Sequence, residues 1–156
     1  MTTSASATAP ADTRVARGLL YDLVSATATK PASLVFHVPG SQYQIHLRQE
    51  GAVSGQIGKR IAGVINATAR RVDVTNQGGR FIEPVIGRPR RIQGVVIAQD
   101  AAANTITVNC AGSAAVDGVG LPVVCKLTDS RQKADQFPVG AFVGFDALDG
   151  ASFTQQ

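Results

Sequence analysis

The sequence predicts an all-β, mainly antiparallel domain closed into a small barrel, with one short helix near its N-terminus. Three observations carry that prediction. Sixteen Gly and seven Pro are scattered among runs rich in Val, Ile and Thr, a composition of short strands and turns. Apolar residues make up 44% of a 156-residue chain, enough for a packed core and the length of one domain. Runs such as RRIQGVVIA, residues 90–98, are apolar on both sides of the pleat around a central Gly. Such strands are covered on both faces, and the Gly marks a bulge or sharp bend.

In chain order, MTTSASATAPAD (1–12) reads as a polar disordered tail without the basic and apolar regions of a secretory signal. The domain then spans 13–156, with candidate sub-units at 30–89 and 90–156. In TRVARGLLYDLVSAT (13–27), Val15, Leu19 and Leu23 recur at helical spacing, with Leu20 and Val24 beside them. Asp12 or Thr13 stands where an N-cap belongs, so a short helix is predicted here, weakened by Gly18.

SLVFHVPGSQYQIHLRQ (33–49) is a hairpin. A two-residue Pro39-Gly40 loop is disfavoured, because the primed turns need positive φ at their first central residue and proline forbids it. A four-residue loop, Pro39 to Gln42, pairs Val38 with Tyr43, Phe36 with Ile45 and Leu34 with Leu47. One face is then wholly apolar, and the other carries Ser33, Val35, His37, Gln44, His46 and Arg48.

From residue 59 onward, strands are predicted over 59–67, 70–75, 80–86, 91–98, 104–109, 121–127 and 141–148. TNQGG (75–79) and DAAAN (100–104) read as hairpin turns and AGSAAVDGVG (111–120) as a longer loop. Between Thr128 and Gln136 a polar helical turn or two end at Phe137-Pro138. The phrase from Lys59 to Ala67 lines up with that from Arg90 to Ala98, and RVDV (71–74) answers TITV (105–108), which suggests two related β-hairpin units. The segment from residue 90 to the end orders two hairpin strands, a third strand LPVVCKL, a short helical turn and the closing FPVGAFVGFDALDG. That order resembles the OB type of barrel, and it implies a fold rather than a function.

Several kinds of chemistry have no foothold. No apolar run approaches the roughly 20 residues that span a bilayer, so no membrane contact is expected. There is no Gly-rich phosphate loop, nucleophile elbow, Cys-x-x-Cys pair or His pair at helical spacing. Cys110 and Cys125 read as reduced core thiols of a cytoplasmic protein, with a disulfide between neighbouring strands as the alternative. His37 and His46 fall on one face as diagonal neighbours, roughly 7–8 Å apart, which is wide for a shared metal. Asp146 and Asp149 suit a strand end and turn, and Glu83 suits an ion pair with a nearby arginine. The expectation is a non-enzymatic protein with no metal and no cofactor.

Charge is segregated. Residues 59–91 hold Lys59, Arg60, Arg70, Arg71, Arg80, Arg88, Arg90 and Arg91 against Asp73 and Glu83, whereas residues 92–156 hold three basic and six acidic side chains. The seven arginines, Arg60, Arg70, Arg71, Arg80, Arg88, Arg90 and Arg91, form the candidate partner- or polyanion-binding set. Two readings follow. Strands apolar on both faces in a small chain call for cover from a second copy, whose acidic C-terminal part would meet the basic segment; this predicts a homo-oligomeric structural or interaction module. The alternative is nucleic-acid or other polyanion binding, because the planar guanidinium fork suits phosphate. A shortage of aromatic platforms, with Phe81 alone in the basic region, counts against single-strand binding.

Overall fold

The computed structural model describes residues 13–76, 79–111 and 120–156; the expected tail, most of the 111–120 loop and the tip of the 75–79 turn lie outside them. The described chain is a mixed sheet of 11 strands. They are β1 (Val15–Val24), β2 (Ser33–His37), β3 (Gln44–Gln49), β4 (Arg60–Val74), β5 (Phe81–Glu83), β6 (Ile86–Gly87), β7 (Arg91–Asp100), β8 (Thr105–Asn109), β9 (Pro122–Leu127), β10 (Phe142–Ala147) and β11 (Ser152–Gln155). One 3₁₀ turn, Ala134–Gln136, stands where the polar helical turns were expected.

The predicted N-terminal helix is a strand. The cause is a bulge at Tyr21, where the β1–β2 register slips between Leu20 and Asp22. The extra residue shifts the phase of the pleat, so the inward side chains are Ala16, Leu20 and Leu23, spaced by four and then three residues. That spacing imitates a helix. The hairpin 33–48 has the expected register, with Phe36 opposite Ile45 and Leu34 opposite Leu47. The Val38 N–H donates to the Tyr43 carbonyl (3.3 Å), and Gly40 at φ 80° turns the loop.

The segments 59–67 and 70–75 are one strand, β4, of 15 residues. Arg70 and Arg71 form a second bulge in it, two residues facing Asp146 alone on β10. The 80–86 strand divides into β5 and β6, and β11, which the pattern did not suggest, adds a further strand.

Strand β4 organises the fold. Its first half pairs with β1 and β11, and its second half with β9 and β10. The pairings therefore close two circuits: β1–β2–β3–β11–β4 back to β1, and β7–β8–β9–β4–β10 back to β7. Each circuit has the same strand directions, with one parallel contact, β3–β11 in the first and β9–β4 in the second. A cut at residue 90 does not separate them, because β11 completes the first circuit and β4 serves both.

The correspondence extends to register. Leu19 faces His37 and Leu20 faces Phe36 in the first circuit; Val95 faces Asn109 and Val96 faces Val108 in the second. Bulges follow at the matching residues Tyr21 and Ile97. Leu34, Phe36 and Val38 thus answer Ile106, Val108 and Cys110, while Ile45 and Leu47 answer Val123 and Cys125; all ten are buried. The counterpart of β7 is β1, so the 59–67 and 90–98 phrases, similar as sequences, hold different places. The first is the fourth strand of one circuit and the second is the first strand of the other. Side chains from both circuits form one continuous core, including Phe36, Phe145 and Phe153, all fully buried.

Candidate functional site

The seven arginines gather in part: Arg70 and Arg71 on β4 and Arg91 on β7 stand on either side of Asp146 of β10. Arg60 opens β4 and stands apart from them, ten residues or about 33 Å before Arg70. Arg91 lies directly opposite Asp146 and is ion-paired to it (3.4 Å), with Glu83 on its other flank. Arg88 pairs with Asp149 (3.2 Å) and Arg71 with Asp73 (3.1 Å). Arg60, Arg70, Arg80 and Arg90 are exposed and make no ion pair among the described residues. The densest basic run thus meets acidic residues near the end of its own chain. Exposed pairs of this kind contribute about 0–1 kcal/mol each, so they explain the segregation of charge without anchoring the fold.

An excess of basic over acidic residues lies elsewhere. Residues 13–66 hold Arg14, Arg17, Lys30, Arg48, Lys59 and Arg60 against only Asp22 and Glu50, whereas residues 67–156 hold nine basic and eight acidic side chains. The first circuit therefore carries most of the surplus. Cross-strand pairing aligns Arg60, Leu19, His37, Gln44 and Ile86 in one row over its outer surface. Asp22, Val35 and His46 form the next row, and Val24, Ser33 and Arg48 the one after. Arg17 and Arg60 are exposed, and neither makes an ion pair among the described residues. Arg48 pairs with Glu50 (3.3 Å).

Tyr21, displaced outward by the bulge, is 51% exposed, and its ring centroid lies 6.1 Å from that of His37. Nδ1 of His37 is 2.9 Å from the Tyr43 carbonyl oxygen, which can only accept, so Nδ1 donates and the imidazole is held in place. His37 and His46 are diagonal neighbours, as expected, and no group of three or more His, Cys, Asp and Glu fit to hold a metal occurs among the described residues. Matching positions of the second circuit carry Thr105, Thr107, Asn109, Pro122, Val124 and Lys126, with Ile97 in place of Tyr21. The aromatic, histidine-bearing surface belongs to the first circuit alone. Sequence reasoning missed Tyr21 by placing it on a helix; the shared order of a mid-strand Gly followed three residues later by Tyr21 or Ile97 was the available signal.

No family model, curated protein or solved structure matches this chain. The remaining candidates must be weighed on their own chemistry. A cleft of about 350 Å³ beside Thr13, Arg14, Asp100, Thr105 and Thr107 offers hydroxyls and a charge of each sign but no histidine or thiol. The amide of Gln99 at its wall donates to the carbonyls of Ala134 and Phe137 (3.0 and 2.7 Å).

The cysteines are core residues. Cys125 faces Ile106, whereas the Cys110 N–H donates to the Leu121 carbonyl, four residues further along the β8–β9 ladder. That separation is about 13 Å, beyond the roughly 7 Å between Cα atoms that a disulfide tolerates. Burial pushes the Cys125 thiol up to about 12, and it raises Cys110 further, with the neighbouring Cys125 adding to the shift. Both groups are neutral thiols at pH 8, and the thiolate is the nucleophile. Alkylation by iodoacetamide at pH 8 should therefore leave both unmodified while the protein is folded and modify both in denaturant. Rapid labelling of the folded protein would contradict their burial.

Proposed function

We propose that this chain is a non-enzymatic binding module that takes a nucleic acid or similar polyanion on the outer surface of the first circuit. Each circuit is read as a small barrel of the OB type, on the strength of its strand order and its single parallel contact; such barrels present this surface to oligomeric ligands. The observation that carries the proposal is the coincidence, on one surface, of unpaired Arg17 and Arg60 with a half-exposed aromatic ring. Homo-oligomeric assembly is the other reading; one observation weighs against it, since the arginines at 71, 88 and 91 already have acidic partners in cis.

Fluorescence anisotropy with a labelled oligonucleotide tests the reading, with light scattering of the free protein alongside. Binding should weaken steeply between 50 and 200 mM salt. Arg17→Ala with Arg60→Ala should lower affinity about tenfold and reduce the log–log salt slope by about 1.4, the contribution of two phosphate contacts on a single strand. Arg88→Ala with Arg91→Ala should change affinity less than about twofold, because those charges are already neutralised in cis. A mass near the monomer value of 16.2 kDa is expected. Salt-insensitive or absent binding, together with a larger stable mass, would transfer the argument to the assembly reading.

A further inference from the structure

We infer that the surface prefers single-stranded to double-stranded nucleic acid because a base stacks on Tyr21; this rests on the polyanion reading above. Among the described residues Tyr21 is the only aromatic among the exposed large apolar side chains. Phe36, Phe145 and Phe153 are fully buried, and Tyr43 is half-buried with its hydroxyl accepting from the Ile82 N–H (3.2 Å). Tyr21 is held outward by the bulge and leans on His37 at an interplanar angle of 48°, within the range of aromatic contact. The imidazole is itself tied to the Tyr43 carbonyl, so the platform has a fixed backing. Little side-chain freedom remains to be lost when a ring settles against it.

The surroundings fit a strand with its bases turned inward. Along β1, half-buried Leu19 two residues before the ring and exposed Val24 three after it offer apolar surface, which suits base and sugar. Arg60 lies beside Leu19 on the neighbouring strand, and Arg17 stands four residues before Tyr21 on β1, about 13 Å away. Cations are thus placed to one side of an apolar, aromatic strip, the arrangement in which phosphates track one edge and bases lie flat. A duplex offers only phosphates and base edges, since its base faces are stacked within, and Tyr21 would then have nothing to receive.

The chain contains two tyrosines and no tryptophan, so its intrinsic emission reads the contact directly. Titration of the full-length protein with a short pyrimidine-rich single strand should quench tyrosine emission, and Tyr21→Phe should remove most of that quench while binding about as tightly. Tyr21→Ala should weaken single-strand binding about tenfold with an unchanged salt slope, and leave duplex binding unaltered. The residue is half-exposed, so melting of the variant close to that of the parent verifies the fold. Equal affinity for single strand and duplex, or loss of less than twofold in Tyr21→Ala, would overturn stacking. If Arg17→Ala with Arg60→Ala still weakened binding in that case, the polyanion reading would survive. Absence of binding to either form would overturn both.

Discussion

Gly94→Ala is expected to destabilise the protein by about 3 kcal/mol or more, enough to abolish folding of a marginally stable domain. A methyl group at residue 94 would sit 2.0 Å from the carbonyl oxygen of Asn109 and 2.7 Å from its carbonyl carbon. Those are backbone atoms of β8, held in the ladder with β7, and they cannot step aside as a side chain can. The close approach is built into the ladder, where Val95, next to Gly94, pairs with Asn109 just before the bulge at Ile97. Gly18, the counterpart in β1, stands 2.5 Å by the same measure from the His37 carbonyl oxygen and 2.6 Å from the Phe36 ring. Gly144→Ala supplies the matched control. Its new methyl would meet the ends of Arg91 and Gln93, at 2.6 and 3.0 Å, and the flexible end of the arginine, whose side chain is 30% exposed, can swing away. That variant should lose less than about 1 kcal/mol. Urea denaturation of the two proteins checks the contrast, and equal midpoints would show that β7 has room to relax.

What the sequence disclosed depended on whether the pleat kept its phase. The 33–48 hairpin was legible to the residue, because alternation runs unbroken on both arms and the turn chemistry admits one loop length. The order of β7, β8, β9, a polar turn and β10 was legible despite the bulge at Ile97, because its apolar runs are bounded by turn residues. β1 was not, since one extra residue at Tyr21 turns a period of two into spacings of four and three. The same device hid the continuity of β4, where the Arg70–Arg71 bulge reads as a break between two strands. β11 is four residues with one large apolar side chain, too short to show a period, and its partners lie in β3 and β4.

The candidate site was harder to read for a geometric reason. Consecutive residues in a strand point to opposite faces, so a dense run such as 88–91 is split between surfaces, while true neighbours arrive from distant segments. Asp146 reaches Arg91 from 55 residues away and Asp149 reaches Arg88 from 61. Counting charges along the chain therefore located the basic residues but not the distant acidic partners that Arg88 and Arg91 meet.

Phe153→Ala should cost about 3–5 kcal/mol, the range for an aromatic removed from a closed core. Phe153 is fully buried, with its ring centroid 5.7 Å from that of Phe36 and its edge over Gly63. Its strand joins β3 to β4, and the Glu50 N–H donates to its carbonyl (2.9 Å), so the ring and the backbone close the first circuit together. Comparison of the two circuits shows why the side chain must be large. By register Phe153 corresponds to Ala69, and Gly63 corresponds to Phe145. Each circuit thus carries one phenylalanine and one small residue at these two positions, exchanged between its fourth and fifth strands. At residue 153 the facing Gly63 has no side chain to expand into the gap that a truncated ring would leave. Phe153→Leu, which keeps most of the volume, should lose about 1–1.5 kcal/mol. Because the core is continuous through both circuits, denaturation should remain a single transition, with far-ultraviolet circular dichroism and tyrosine emission changing together. Separate transitions would mean that the first circuit opens alone and that β4 does not couple the two.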